Sequence, residues 1–334
     1  MSFPKVLAIV AVLLFGTVSI MAVWKKSKVD RPSTITTATS LEIDLDKEIV
    51  KETRTETKKP ASVMKVKSDD AQLPSADRIN ELFSTGVAKL PIVETVSYTS
   101  RVSWLQGRPA WVVDYSNYYA TSRHFIARSL NRKCDYTSQN IYEGAKFNVL
   151  RKDKNLQFYL VVDVSRCKMW FYYLDLDTNE RVLLKDYLVG LGRPDDRSPS
   201  KCLTPLGKYQ LGHKLGIYKT GSLGVFNNQQ VEMIRVFGTR WIPFDQEIGE
   251  CSAPAKGFGI HGAPWSADSK SGELIEEKEC IGKHMSDGCI RLLKDNMEEI
   301  FSIVITKPTI VEIVDDFYKA ELPGHEISTE NHRG

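Results

Sequence analysis

Apolar and polar positions divide this chain into four regimes. Val6 to Val23 reads VLAIVAVLLFGTVSIMAV, a run with no polar face, and about 18 such residues can cross most of a bilayer as a helix. The run stops at Trp24, Lys25 and Lys26, an aromatic followed by lysines as at a membrane interface. A cleaved signal segment is the alternative. No small-x-small cleavage site follows the run, so residues 1–27 are expected to form a retained anchor with residues 6–23 in the membrane. Residues 28–75 are rich in Thr, Ser, Lys, Glu and Asp and are broken by Pro32, Pro60 and Pro74. Such a stretch buries too little apolar surface to offset its ordering entropy and is expected to be a disordered linker.

Residues 76–150 mix both periods. Ser75 reads as the N-cap of a short helix through Leu82 and Phe83, Ala110 to Tyr115 as a strand, and Tyr119 to Leu130 as an amphipathic helix, which together make a small α+β module. Its aromatics Trp104, Trp111, Tyr115, Tyr118 and Tyr119 have the alternating and helical spacings of core residues; stacking on a glycan is the other reading.

From Gln157 onward the period is two. Gln157 to Asp163, Lys168 to Tyr173 and Arg181 to Val189 are β-branched or aromatic runs, separated by turn formers such as Asp175 to Asn179. Further strands are expected at Gly207 to His213, Val231 to Phe237 and Phe258 to His261. A helix from Arg291 to about Val304 and a last strand at Thr309 to Val314 complete the pattern. The fold class is therefore α+β: a mainly β domain, preceded by the small module and the N-terminal transmembrane helix.

Composition narrows the function. The 334 residues have material for two domains. The formal net charge is +3 with the basic residues scattered, which gives no electrostatic case for nucleic acid.

The chemistry concentrates in Gly259-Ile260-His261-Gly262 and Ser286-Asp287-Gly288-Cys289-Ile290-Arg291. A histidine ahead of a cysteine bracketed by glycine and arginine offers a thiol nucleophile its base, room for close backbone approach and nearby positive charge. Cys289 is expected where a glycine turn runs into a helix starting at Arg291, so that helix-terminal N–H groups and a cation lower the thiol pKa. His261 is the candidate base, its ring oriented by a backbone carbonyl such as that of Gly262. Backbone N–H groups of Gly288 and Cys289 are candidates to hold an oxyanion, with Ser286, Asp287 and Gly262 as supports. Arg291 either binds a substrate carboxylate or braces the loop.

The remaining histidines and cysteines carry less. His284 lies five positions from Cys289 but outside the strand-borne motif, and His124, His213, His325 and His332 have no motif context. With Cys289 reserved, Cys134, Cys167, Cys202, Cys251 and Cys280 are odd in number, and Cys251 with Cys280 is the candidate bridge in an oxidising compartment. Zinc held by His261, Cys280, His284 and Cys289 would fit no finger spacing, so neither metal nor cofactor is expected.

Val189-Gly190-Leu191-Gly192, Thr204-Pro205-Leu206-Gly207 and the two segments above, in this order, resemble the successive motifs of the L,D-transpeptidase (YkuD) catalytic domain. The resemblance covers roughly Gln157 to Asp315, giving a catalytic domain at 157–315 and a C-terminal tail at 316–334. It implies a β-sandwich or barrel with one helix after the nucleophile. It further implies that the Cys289 thiolate attacks the L,D bond of a peptidoglycan stem tetrapeptide while His261 takes and returns the proton. The thioester is then resolved by a stem-peptide amine or by water, and carbapenem β-lactams are the implied inhibitors. Because the wall lies outside the cytoplasmic membrane, the domain is expected on the periplasmic or outer side, despite Lys25, Lys26 and Lys28.

Two departures stand out. Asp287 occupies a position that is most often histidine in the family. An insertion around Ser266 to Lys283, carrying Glu273, Glu276, Glu277 and Glu279, is expected to form a lid or loop beside the cleft. A catalytically idle wall-binding protein is an alternative, although such a module needs neither His261 nor Cys289. In a sortase-like transferase the arginine lies well beyond the cysteine, whereas Arg291 is two residues away.

Overall fold

The computed structural model describes residues 64–69, 71–86, 89–132 and 141–327. The expected anchor at residues 6–23, most of the linker, Cys134 and His332 lie outside them. Among the described residues no helix is long and apolar enough to cross a membrane.

In the 76–150 region the antiparallel strands β1 (Val93–Ser97) and β2 (Lys146–Leu150) are joined by helices α2 (Val112–Tyr118) and α3 (Arg123–Asn131), after a short α1 (Ile79–Phe83). The stretch expected as a strand at 110–115 is thus mostly helix. Asp114 explains why: its carboxylate accepts the Trp111 N–H at 2.8 Å and two bonds from Arg108, closing the first turn. α3 starts at Arg123 rather than Tyr119 because the Ser122 hydroxyl accepts the His124 N–H, a side-chain N-cap. Ser75 does not cap α1; its hydroxyl donates to Asp186 instead. Tyr98, Tyr115, Ile126, Phe147 and Val149 form a core of their own, while Trp111 is 62% exposed.

The module is not independent of the larger domain. Ile79, Leu82, Phe83, Phe125 and Leu150 belong to the same buried cluster as Phe158, Phe171, Ile300 and Phe301.

The domain opens with an antiparallel meander, β3 (Leu156–Asp163), β4 (Lys168–Asp175) and β5 (Glu180–Leu188). It continues through β6 (Leu191–Gly192), β7 (Gly207–Leu211), β8 (Gly216–Ile217), β9 (Leu223–Phe226), β10 (Gln229–Glu232) and helix α4 (Ile234–Phe237). Then come β11 (Arg240–Ile248), β12 (Gly259–Gly262), β13 (Trp265–Ala267), β14 (Leu274–Glu276), β15 (His284–Ser286) and β16 (Ile290–Leu292). Helix α5 (Lys294–Val304), β17 (Thr309–Val314) and β18 (His325–Glu326) end the described chain.

Ten strands form one mixed sheet in the order β16, β12, β11, β7, β17, β3, β4, β5, β18, with β8 beside β11. The sheet curls into a half-barrel, and the domain is mainly β with few helices.

β3 and β4 read as nearly unbroken apolar runs because both faces of the sheet are covered there. Phe158, Leu160, Phe171 and Tyr173 face the main core, whereas Tyr159, Val161, Trp170 and Tyr172 pack with Phe317 from the C-terminal segment. Residues expected to be linker and tail accordingly join the fold at their inner ends. Pro74 accepts the Trp170 indole N–H at 2.7 Å, Asp69 pairs with Lys168, and β18 pairs with β5.

Two boundaries near the site also differ from expectation. The strand expected over 231–237 ends at Glu232 and passes into α4. The helix expected from Arg291 starts at Lys294, because Ile290–Leu292 pair in parallel with β12.

Candidate active site

β12 and β16 bring the two motifs together. Their register sets Ile260 against Ile290, His261 against Arg291 and Gly262 against Leu292. Side chains alternate along strands, so Ile260, Ile290 and Leu292 enter the core, each fully buried. His261, Arg291 and, one residue before the strand, Cys289 fall on the opposite face. His261 and Cys289 are thus diagonal neighbours on adjacent strands, on the order of 8 Å apart at Cα.

His261 is buried and held on several sides. Its Nδ1 lies 2.7 Å from the Gly262 carbonyl, and since a carbonyl only accepts, Nδ1 carries the proton and the other ring nitrogen is the acceptor. This carbonyl does orient the ring. Phe237 packs edge-on at 5.3 Å between centroids and Trp241, the β11 register partner of His261, lies at 5.7 Å. Burial pushes the imidazole pKa down to about 3, with the Arg291 charge adding and the Gly262 and Phe237 carbonyls opposing. His261 is therefore neutral at physiological pH.

Cys289 does not sit at a helix N-terminus. It precedes β16, and α5 begins five residues later, so no helix dipole acts on the thiol. Burial pushes the thiol up to about 12, against pulls from the Gly259 backbone and the Arg291 charge, while Asp287 raises it further. The thiol pKa is thus raised rather than depressed as expected, burial outweighing the Arg291 charge, while the residue keeps part of its surface accessible. The resting pair is a neutral thiol and a neutral imidazole, and the sulfur lies 3.7 Å from the Gly257 carbonyl oxygen.

Ser286 shapes the loop. Its hydroxyl donates to the Cys289 carbonyl at 2.7 Å and accepts the Gly288 N–H at 3.1 Å. The Gly288 N–H, a candidate oxyanion donor, is thus already engaged. Gly288 adopts φ +117°, and a Cβ there would stand 2.5 Å from Phe258 and 2.8 Å from the Leu203 carbonyl, so only glycine fits. Asp287 points outward and pairs with Arg193 at 2.7 Å. Arg291 exchanges backbone hydrogen bonds with Gly190 at 2.8 and 2.9 Å, which gives the Val189–Gly192 motif its place beside β16. The Thr204 hydroxyl accepts the Gly192 N–H at 2.7 Å and ties in the second of the four motifs.

The insertion between the motifs is a built hairpin. β13 and β14 pair antiparallel, and the Glu276 carboxylate accepts the Lys294 N–H, capping α5 in place of a local side chain. Lys294 in turn lies 5.8 Å from the Trp265 ring centroid. Cys251 and Cys280 are both free, and each thiol donates to a backbone carbonyl, that of Lys208 at 3.2 Å and that of Glu277 at 3.1 Å respectively. Among the described residues no three His, Cys, Asp or Glu side chains converge as a metal site requires.

Arg193, Phe237, Trp241 and Gly257 were not marked as site residues by the sequence. All but Gly257 act through partners distant in the chain, and Gly257 contributes only its backbone, so no local pattern marks them.

A partly accessible cysteine and a buried, carbonyl-oriented histidine thus lie on one face of a curled sheet. The family profile of the YkuD L,D-transpeptidase catalytic domain matches residues 157–313, and this part of the chain belongs to that family. No curated protein matches the chain. Among solved structures, it is similar to the helical cell shape determining protein Pgp2 from Campylobacter jejuni at 17% identity, over 52% of this chain and 54% of that one, with a TM-score of 0.31. Bd1075 from Bdellovibrio bacteriovorus is similar at 12% identity, over 48% of this chain and 47% of that one, with a TM-score of 0.31. The chain thus matches about half the length of each of these solved structures.

Proposed function

We propose that this protein is a peptidoglycan L,D-transpeptidase with Cys289 as nucleophile and His261 as general base and acid. The observation that carries the reading is the β12–β16 register, which sets both side chains on one face of a domain of this family.

With a thiol near 12 and an imidazole near 3, proton transfer before attack is strongly disfavoured. The proton therefore leaves sulfur as the C–S bond forms to the carbonyl carbon of the third stem residue, and His261 receives it. Collapse breaks the C–N bond, and His261 returns the proton to the departing D-residue amine. An amine from a second stem then attacks the thioester, a C–N bond forms, and the thiol is restored. Water in that role would make the enzyme an L,D-carboxypeptidase. The Cys289 N–H stabilises the oxyanion, and the Gly288 N–H joins once Ser286 releases it. The Arg291 charge favours the thiolate as it develops. The apolar run at residues 6–23 anchors the protein with this domain on the outer side of the membrane.

Intact mass of the full-length protein after incubation with a carbapenem, and product analysis with a disaccharide tetrapeptide, test the reading. A covalent adduct and release of the terminal D-residue are expected for the wild type, and neither for Cys289→Ala. A folded wild type that forms no adduct and releases nothing would leave the idle wall-binding reading.

A further inference from the structure

His284, close to the Cys289 loop, is a histidine that the reaction above does not use, and the fold gives it a defined pair of partners. Its Nδ1 lies 3.1 Å from the Gly192 carbonyl and its Nε2 lies 3.3 Å from the Cys167 sulfur. A carbonyl only accepts, so Nδ1 carries the ring proton, Nε2 is the acceptor, and the Cys167 S–H donates to it. One proton arrangement satisfies all three groups. Burial favours it: the fully buried Cys167 thiol is pushed up to about 12, with Cys202 and Asp163 adding, and stays S–H. The same effect holds His284 below its ordinary value against the Gly192 and Val164 carbonyls, and the ring stays neutral. Cys167 itself sits in the β3–β4 turn at φ +50°, a backbone conformation that non-glycine residues rarely adopt.

The strand that His284 opens needs such an anchor. β15 pairs with β6 through His284 with Leu191 and Ser286 with Gly192, and the register shifts between the two pairs, so the backbone ladder is interrupted. Two residues on, the Ser286 hydroxyl holds the Cys289 carbonyl and the Gly288 N–H.

We propose that His284, clamped between Cys167 and the Gly192 carbonyl, is a positioning residue that fixes β15 and, through Ser286, the backbone of the Cys289 loop. This rests on Cys289 being the nucleophile.

The test is the kinetics of carbapenem acylation of the full-length protein, followed by intact mass, with melting temperature recorded in parallel. No adduct in the wild type would defeat the functional reading and with it this one. Given wild-type acylation, His284→Ala and Cys167→Ala should each lower the limiting rate on the order of tenfold while the half-saturating concentration stays put. Cys167→Ser, whose hydroxyl still donates, should recover most of the rate, and the double alanine variant should be no slower than either single one. Unchanged limiting rates in both alanine variants would overturn the proposal. So would Cys167→Ser as slow as Cys167→Ala, a comparison that stands even if His284→Ala does not fold.

Discussion

Arg193 and Asp287 form an ion pair of 2.7 Å beside the Cys289 loop, with 63% and 74% of their side chains exposed. The carboxylate thus takes the place of the family's usual histidine without entering the site, and its charge still opposes ionisation of Cys289. Exposed pairs of this kind contribute about 0–1 kcal/mol. Asp287→Asn should therefore leave the melting temperature nearly unchanged and speed iodoacetamide labelling of Cys289 about two- to threefold. Slower labelling in a well-folded variant would show that the pair organises the loop instead.

Acid stability should report two buried histidines. His124, edge-on to Phe301, and His261 both have folded pKa values of about 3 against an ordinary 6.5, chiefly through burial. Below 6.5 the unfolded chain takes up protons that the folded chain refuses. Their contribution is full above that pH and is lost as pH falls toward 3, by up to about 1.4 kcal/mol per pH unit for each histidine. Urea midpoints should drop between pH 7 and pH 5, above the carboxylate range, and His124→Leu should flatten that slope. An unchanged slope in His124→Leu would remove His124 from the explanation.

Gly288→Ala should be more damaging than its size implies. The new methyl meets the Phe258 ring and the Leu203 carbonyl at a left-handed backbone position, and the loop must move to admit it. Loss of carbapenem acylation by about a hundredfold is expected, since misplacement of the nucleophile by about 1 Å suffices for that. Wild-type acylation in this variant would mean that the Gly288 conformation is not needed.

The sequence was most legible where one physical signal dominated. Period-two apolar runs located β3, β4, β5 and β17, and glycine-bracketed motifs marked the segments of β12 and β16 that the fold pairs, because close backbone contacts leave their mark as glycine. Helix starts were read poorly. Ala110 to Tyr115 carries two adjacent valines and looks like a strand, but Asp114 closes a helical turn on Trp111 that propensity alone does not reveal. Arg291 looked like a helix start because the pairing of β16 with β12 depends on a strand 30 residues upstream. The thiol pKa was misjudged for a related reason, since partial burial outweighs the nearby Arg291 charge and neither the burial nor the strand start of β16 shows in the local sequence.

That reversal has a direct chemical consequence. A depressed thiol pKa would give selective iodoacetamide labelling of Cys289 at neutral pH, with a plateau above it. A thiol near 12 predicts slow labelling at pH 7 that rises about tenfold per pH unit and does not level off below pH 10. Carbapenem acylation should depend on pH far less steeply, because His261 takes the proton during attack rather than before it, and His261→Ala should abolish acylation while leaving alkylation at high pH intact. Peptide-resolved mass spectrometry of both adducts, with Cys289→Ala as the blank, separates the two reactions. A labelling plateau below pH 8 would show that a thiolate–imidazolium pair already exists in the resting enzyme and that the neutral pair described here is not the reacting state.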